Sequence, residues 1–473
     1  MSEPQSPARD SHFHLTPEMP YYPNPNHGDM MHDPILIKNA QCVSSQEIKE
    51  QDVLIQDGKI KEVGKLSTKQ AGEIIDASNL YLLPGALDPQ VHFRDPGLTW
   101  KEDLHTGSMA AAAGGVTGFF DMPNTKPSIV TMDAMIEKKK MAAEKCVVNY
   151  NFFIGATEDN VDELNGAENV CGIKIFMGSS TGDLLVSDPR ALDHIFGNGS
   201  RLIAVHAEDD DIINAAREKY NDSTDFNDHQ FVRPAEAALK ATKLAVELSV
   251  KYQRRLHILH LTTANEVRFL ETEKSKGPIS VEVCPQHFLL SGPYIYEKIG
   301  AYAQMNPPIR DMEHGKVLWE GLTSGIIDCI ATDHAPHTHE EKAAPFGNAP
   351  SGMPGVETSL PLMLDRANRG FCSLENVVQW MCEKPVELYK VQNKGWIEPG
   401  YDADLVLVDM DQKKTIENGK LFTKVNWSPY NGWTTQGWPV RTIVGGQTVF
   451  QENEIDESVR GTEIQIGDQT TLS

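Results

Sequence analysis

Between residues 82 and 332 the chain alternates short apolar runs with amphipathic stretches about eight times, and no other feature constrains its fold as much. The apolar runs fall near 82–88, 117–122, 147–154, 170–176, 201–206, 255–260, 279–284 and 326–332. The clearest helical stretches between them are Asp133 to Lys145, Pro234 to Tyr252 and Thr263 to Lys274. Strands that alternate with helices build a parallel sheet through crossover connections. Eight such units close into a (β/α)8 barrel, whose chemistry belongs at the carboxyl ends of the strands. The expected class is therefore α/β, a TIM barrel over residues 84–389. The polar segment Asn221 to Val232, before a helix started by Pro234, reads as a surface excursion.

The two ends of the chain read differently. Ile35-Leu36-Ile37 and Val53-Leu54-Ile55 are β-branched runs, and Gln56-Asp57-Gly58-Lys59 is a hairpin turn signal. Asp404 to Val408 and Val440 to Gly446 have the same character. Strands at both ends suggest one small β-domain built from residues 34–83 and 390–450. Residues 1–33, rich in Pro, His, Ser, Asn and Met without periodicity, read as a mobile extension, with His12, His14, His27 and His32 solvated. Residues 451–473 read as a C-terminal tail.

A length of 473 residues accommodates a barrel and a smaller unit, and 40% apolar with 23% charged residues is ordinary for a soluble globular protein. The formal charge of -24 argues against a nucleic-acid partner. It does not argue against a small anionic substrate, because a few local cations can dominate a cleft. No apolar run approaches the ~20 residues needed to span a bilayer, and no signal-peptide core is seen at the start. Seven scattered cysteines without a CxxC pair suggest reduced thiols and a cytoplasmic protein.

Polar groups recur where apolar runs end: Lys174 in GIKIF, His206 after LIAV, His260 after LHIL, and Asp333 after IAT. A charged group on a buried strand is costly unless it is paired or binds a metal. One such His is more often a satisfied core residue than a ligand. Several at the same end of one barrel point to a metal site, and imidazoles with a carboxylate suit zinc. His257 lies an odd number of residues before His260, so on a regular strand it faces the other way and is structural. His287 carries no role beyond structure. The stretch Pro84 to Thr125 adds His92, Arg94 and Asn124, each beside a strand end.

That stretch resembles the dihydroorotases of the amidohydrolase superfamily, relatives of allantoinases and dihydropyrimidinases. Their pattern is H-x-H-x-R, then PGxTxKEDxxxGxxAAAxGGxT and MPNT; here Gln90-Val91-His92-Phe93-Arg94 puts Gln90 at the first His. The resemblance implies that the small domain is a composite β-sandwich. It implies zinc held by His92, Lys174, His206, His260 and Asp333, with Lys174 carbamylated to bridge two ions. It implies that Asp333 shuttles the catalytic proton. It assigns Arg94, Asn124 and His337 to a substrate carboxylate, and Asn306 with the loop Pro350 to Gly355 to the ring amide. A guanidinium can grip a carboxylate bidentately; a salt bridge from Arg94 to Asp95 or Glu102 is the plain alternative. Gln90 leaves three outcomes open: its carbonyl oxygen ligates weakly, a water takes the place, or one ion binds tightly and the count is one per chain instead of two. The implied protein is a cytoplasmic homo-oligomeric enzyme of pyrimidine synthesis that turns over dihydroorotate and N-carbamoyl-aspartate. Its rivals are another cyclic amidase and an inactive scaffold.

Overall fold

The computed structural model describes residues 33–68, 71–178 and 184–468. The expected extension, with His12, His14, His27 and His32, lies outside these residues apart from Asp33. Five strands come first: β1 (Ile35–Val43), β2 (Ile48–Gln56), β3 (Lys59–Gly64), β4 (Glu73–Asp76) and β5 (Tyr81–Pro84). Eight follow: β6 (Ala86–Val91), β7 (Val116–Asp121), β8 (Asn149–Gly155), β9 (Gly172–Phe176), β10 (Ile203–His206), β11 (Leu256–Ile258), β12 (Ile279–Val283) and β13 (Cys329–Ile330). The last four are β14 (Leu405–Thr415), β15 (Thr434–Val444), β16 (Gln447–Gln451) and β17 (Glu454–Ile455).

Strands β6 to β13 pair in chain order as an eight-stranded parallel sheet. A parallel bridge from Val91 to His334, with His92 N–H donating to His334 O at 2.7 Å, joins the first strand to the segment after the last. The barrel expectation holds. The outer faces of these strands join the helices in one large apolar cluster, while Leu87, Phe120, Phe153, Leu202 and Ala204 fill a second cluster with Tyr389. The helices lie where the pattern placed them, at Met132–Lys145, Ala235–Tyr252 and Ala264–Glu273.

The second sheet runs β17-β16-β15-β14-β5-β1-β2-β3, with β4 beside β1, and so joins both ends of the chain. The hairpin signal is realised between β2 and β3, where Asp57 and Gly58 take φ of +52° and +73°. The first apolar run divides at Gly85: Tyr81–Pro84 pairs with β14 in this sheet, and the barrel strand begins at Ala86. A Cβ at Gly85 would lie 2.0 Å from Thr117 Oγ1, so only glycine allows the chain to cross there.

The segment after Phe450 adds β17 and then lies along β8. Tyr150 N–H donates to Thr462 O at 3.1 Å, and Ile464 N–H donates to Tyr150 O at 2.8 Å. The amides of Asn149 and Asn151 bond the same segment, and the Ile464 side chain is fully buried in the inner cluster. The polar segment before the Pro234 helix is not all surface. It forms short turns at Phe226–Asp228 and His229–Val232, and His229 is buried because its ring bonds Met305 O and Asn306 Oδ1.

Candidate active site

The carboxyl ends of the barrel strands surround a cavity lined by Gln90, His92, Lys174, Phe176, His206, His260, Asn306, Asp333, Ala335, Ser351 and Gly352. Seven of the ten residues singled out from the sequence are in that lining. Arg94, Asn124 and His337 stand immediately behind it. Three groups of the site, Arg94, His260 and Asp333, have left-handed backbones with φ of +61°, +34° and +48°. Non-glycine residues adopt that region at a cost, and such residues gather at sites where the chain must re-aim a side chain.

His206 ends β10. Its Nε2 lies 2.9 Å from Glu208 Oε2, and Arg233 bonds the same carboxylate. Burial alone would raise the Glu208 carboxyl, but Arg233 and His206 hold it well below the ordinary range. An ionised carboxylate only accepts, so His206 Nε2 carries the proton and Nδ1 presents its lone pair. That Nδ1 faces His260 Nε2 at 3.1 Å. Burial also lowers the pKa of both rings, favouring the neutral forms that ligate metals. Two nitrogens at about 2 Å from one ion would stand roughly 3.3 Å apart in a tetrahedral site, close to the separation seen.

Lys174 is buried beside this pair. Its Nζ lies 4.5 Å over the Phe176 ring. Burial drops its pKa to about 7, with Asp333 and Glu282 pulling it back up. A lysine with a partly neutral amine at physiological pH is a nucleophile rather than a fixed cation. The donor set therefore fits a divalent cation: two neutral imidazoles, a reactive amine and a carboxylate.

On the opposite wall His92 Nε2 lies 3.0 Å from Asp333 Oδ1, and its Nδ1 lies 2.7 Å from Asn124 Oδ1. Asn124 thus steadies the His92 ring. Gln90 directs its amide nitrogen to Asp333 Oδ1 at 3.1 Å, and its buried Oε1 has no partner. Behind these, Asp121 accepts from Phe93 N–H and pairs with buried Lys138 at 2.6 Å, which anchors the strand end.

Arg94 is 4% exposed and forms no ion pair among the described residues. Asp95 pairs with Lys145 instead, and Glu102 accepts from the Lys424 backbone N–H and the Thr423 hydroxyl. The guanidinium Nη2 touches His337 Nε2 at 3.3 Å, and its buried Nε has no acceptor. The His337 ring also lies 3.1 Å from Lys101 Nζ through Nδ1 and 3.0 Å from Ser351 O, on the cavity wall, through Nε2. Burial, reinforced by Arg94, Lys101 and Lys342, pushes the His337 pKa down to about 3. Gly352 next to it has φ of +138°, and a Cβ there would meet Ala335 O at 2.3 Å. His287 holds Pro307 O with Nε2 at 3.1 Å, in line with a structural part.

His257 faces the barrel interior, contrary to the alternation expected of it. Lys174, Ala204, His257 and Ser280 are register partners on adjacent parallel strands and so share a face. The count from His260 misleads because β11 ends at Ile258 and His260 lies in the left-handed turn beyond it. Glu208, Arg233, His229 and Lys101 escaped the sequence reading. The one signal available was the acid two residues after the strand-ending His206.

Residues 81–449 match the amidohydrolase family. The chain belongs to the amidohydrolase family. A dihydroorotase of Methanosarcina acetivorans is 34% identical over 439 residues, 89% of this chain and 93% of that protein. One of Halobacterium salinarum is 36% identical over 417 residues, 85% and 96% of the two chains. Among solved structures, the L-hydantoinase (dihydropyrimidinase) of Arthrobacter aurescens superposes with a TM-score of 0.87 at 30% identity, covering 91% of this chain and 99% of its own. The dihydropyrimidinase of Brevibacillus agri gives a TM-score of 0.86 at 27% identity, covering 92% and 99%. Over 91–92% of its length this family member therefore shares its fold with a hydantoinase and a dihydropyrimidinase. Among the described residues no helix is long and apolar enough to cross a membrane.

Proposed function

We propose that the chain is a zinc-dependent dihydroorotase, which hydrolyses dihydroorotate reversibly to N-carbamoyl-aspartate in pyrimidine synthesis. The observation that carries this reading is Arg94: a buried guanidinium, without a carboxylate partner among the described residues, behind the wall of a hydrolase cavity. A cation in that state fits a substrate that brings its own carboxylate. The sequence relatives support the same substrate.

His206, His260, Lys174, His92 and Asp333 would hold the metal, with Lys174 carbamylated. The Lys174 amine would attack carbon dioxide, form an N–C bond and release one proton, leaving a carbamate whose oxygens would serve as ligands. When bound, a divalent ion supplies a Lewis acid that polarises the ring carbonyl and makes water acidic enough to attack. Asp333 takes the proton of the attacking water and delivers it to the ring nitrogen as the C–N bond breaks. Arg94 and neutral His337 orient the substrate carboxylate, and Asn306 with the Ser351–Gly352 backbone meets the ring. Fixing the ring against the attacking water supplies part of the rate.

The second reading is a hydantoinase or dihydropyrimidinase, which the structural neighbours favour. Turnover of dihydroorotate, dihydrouracil and hydantoin on one preparation decides between them. Dihydroorotate should be hydrolysed with a kcat/KM at least tenfold above both neutral rings. Preference for a neutral ring would overturn the dihydroorotase reading and leave the hydrolase intact.

A further inference from the structure

Gln90 is the one residue at which this chain leaves the pattern its site otherwise follows. Its amide nitrogen and His92 Nε2 both meet the same atom, Asp333 Oδ1, at 3.1 and 3.0 Å. An amide N–H is a donor and cannot ligate a cation. Turning the amide to offer Oε1 there would set that oxygen against a carboxylate oxygen that only accepts. The other edge of the cavity is different. His206 Nδ1 and His260 Nε2 face each other at 3.1 Å, with His206 locked by Glu208 into the tautomer that presents a lone pair. No amide donor competes there, and Lys174 stands beside them in the same lining.

We infer that Gln90 acts on Asp333 as a hydrogen-bond donor and not on the metal as a ligand, so that the chain retains one divalent ion, on the His206–His260 edge. Gln90 is then a positioning residue. It fixes Oδ1 of Asp333 and leaves Oδ2 as the oxygen that handles the proton. The inference rests on the metal-hydrolase reading above but goes beyond it, since that reading holds with one ion or with two.

The test is the metal content of the full chain, loaded with Mn2+ in bicarbonate buffer, dialysed against metal-free buffer, and measured by elemental analysis and electron paramagnetic resonance. One ion per chain is expected, with the hyperfine pattern of an isolated Mn2+. Gln90→His should raise retention from one ion to two and give an exchange-coupled spectrum. Two ions or a coupled spectrum in the wild type would overturn the inference, and needs no variant to be informative. Dihydroorotate turnover on the same samples separates the two readings. Two ions with turnover would sink the inference alone, whereas no retained ion and no turnover would sink both.

Discussion

Arg94→Met separates a substrate contact from a structural cation. In the wild type, burial pulls the guanidinium well below its ordinary value, to about 10, with Asp333 and other acids opposing. That difference corresponds to roughly 3 kcal/mol of desolvation that folding does not recover. The sign follows from the charge state. Arg94 is cationic in both folded and unfolded chains below about pH 10, so the full cost is present at neutral pH. Methionine removes the charge and refills most of the volume. The variant should therefore unfold at or above the wild-type temperature. It should also lose a charge-assisted contact worth about 1.5–3 kcal/mol, or about 10- to 150-fold in kcat/KM, on dihydroorotate. Dihydrouracil, which lacks the carboxylate, should lose almost nothing. Calorimetry and steady-state kinetics on both substrates make the measurement. A fall of several degrees in Tm together with equal losses on the two substrates would show that Arg94 only supports the barrel mouth.

Three further outcomes follow from the same contacts. Glu208→Leu removes both the carboxylate that Arg233 bonds and the acceptor that sets the His206 tautomer; metal affinity, measured by chelator competition, should fall about 10- to 100-fold. Metal uptake by stripped protein in bicarbonate should rise from pH 6 to pH 8 with a midpoint near the Lys174 value of about 7, because only the neutral amine above that pH can be carbamylated. Uptake that stays flat across this range, or that keeps the same midpoint in Lys174→Met, would refute the assignment. Ile464→Ala should cost about 2–5 kcal/mol in urea unfolding, as for other fully buried large-to-small changes, although the residue lies within twenty of the C-terminus.

The sequence revealed most where polarity and burial conflict. A His, Lys or Asp at the end of an apolar run is visible in one chain, and Lys174, His206, His260 and Asp333 converge as that conflict required. What stayed hidden were polar groups whose partners lie far along the chain. Glu208 is two residues from His206, but its meaning depends on Arg233, which follows a polar insertion that reads as surface. His229 sits in that same insertion and is buried only because the Met305–Asn306 segment comes to meet it. The C-terminal segment shows the converse. Asn149 and Asn151 lie on a buried strand, and residues 462–464 supply part of their hydrogen bonds, beside Asp404 and Asn169.

Side-chain direction at His257 raises a last question, because it places a second cluster of metal-ligand types inside the same barrel. His257, Glu282 and Cys329 bring donor atoms within 4.8 Å of one another, all buried. Yet both His257 nitrogens are already engaged, by Ser280 Oγ at 2.7 Å and Glu282 Oε2 at 2.9 Å. Burial, with Glu282 and Asp328 adding to it, drives the Cys329 thiol well above its ordinary value, away from the thiolate a metal needs. Glu282 also accepts from the backbone N–H of His260 at 3.4 Å, the residue in the left-handed turn. The cluster is thus better suited to holding His260 in its strained turn than to holding a cation. The difference between the two sets is access: His206, His260 and Lys174 line the cavity, and His257, Glu282 and Cys329 do not. A barrel strand alternates its side chains and ascends toward one open end. The same kinds of side chain form a reactive site where they reach the cavity and its support where they do not.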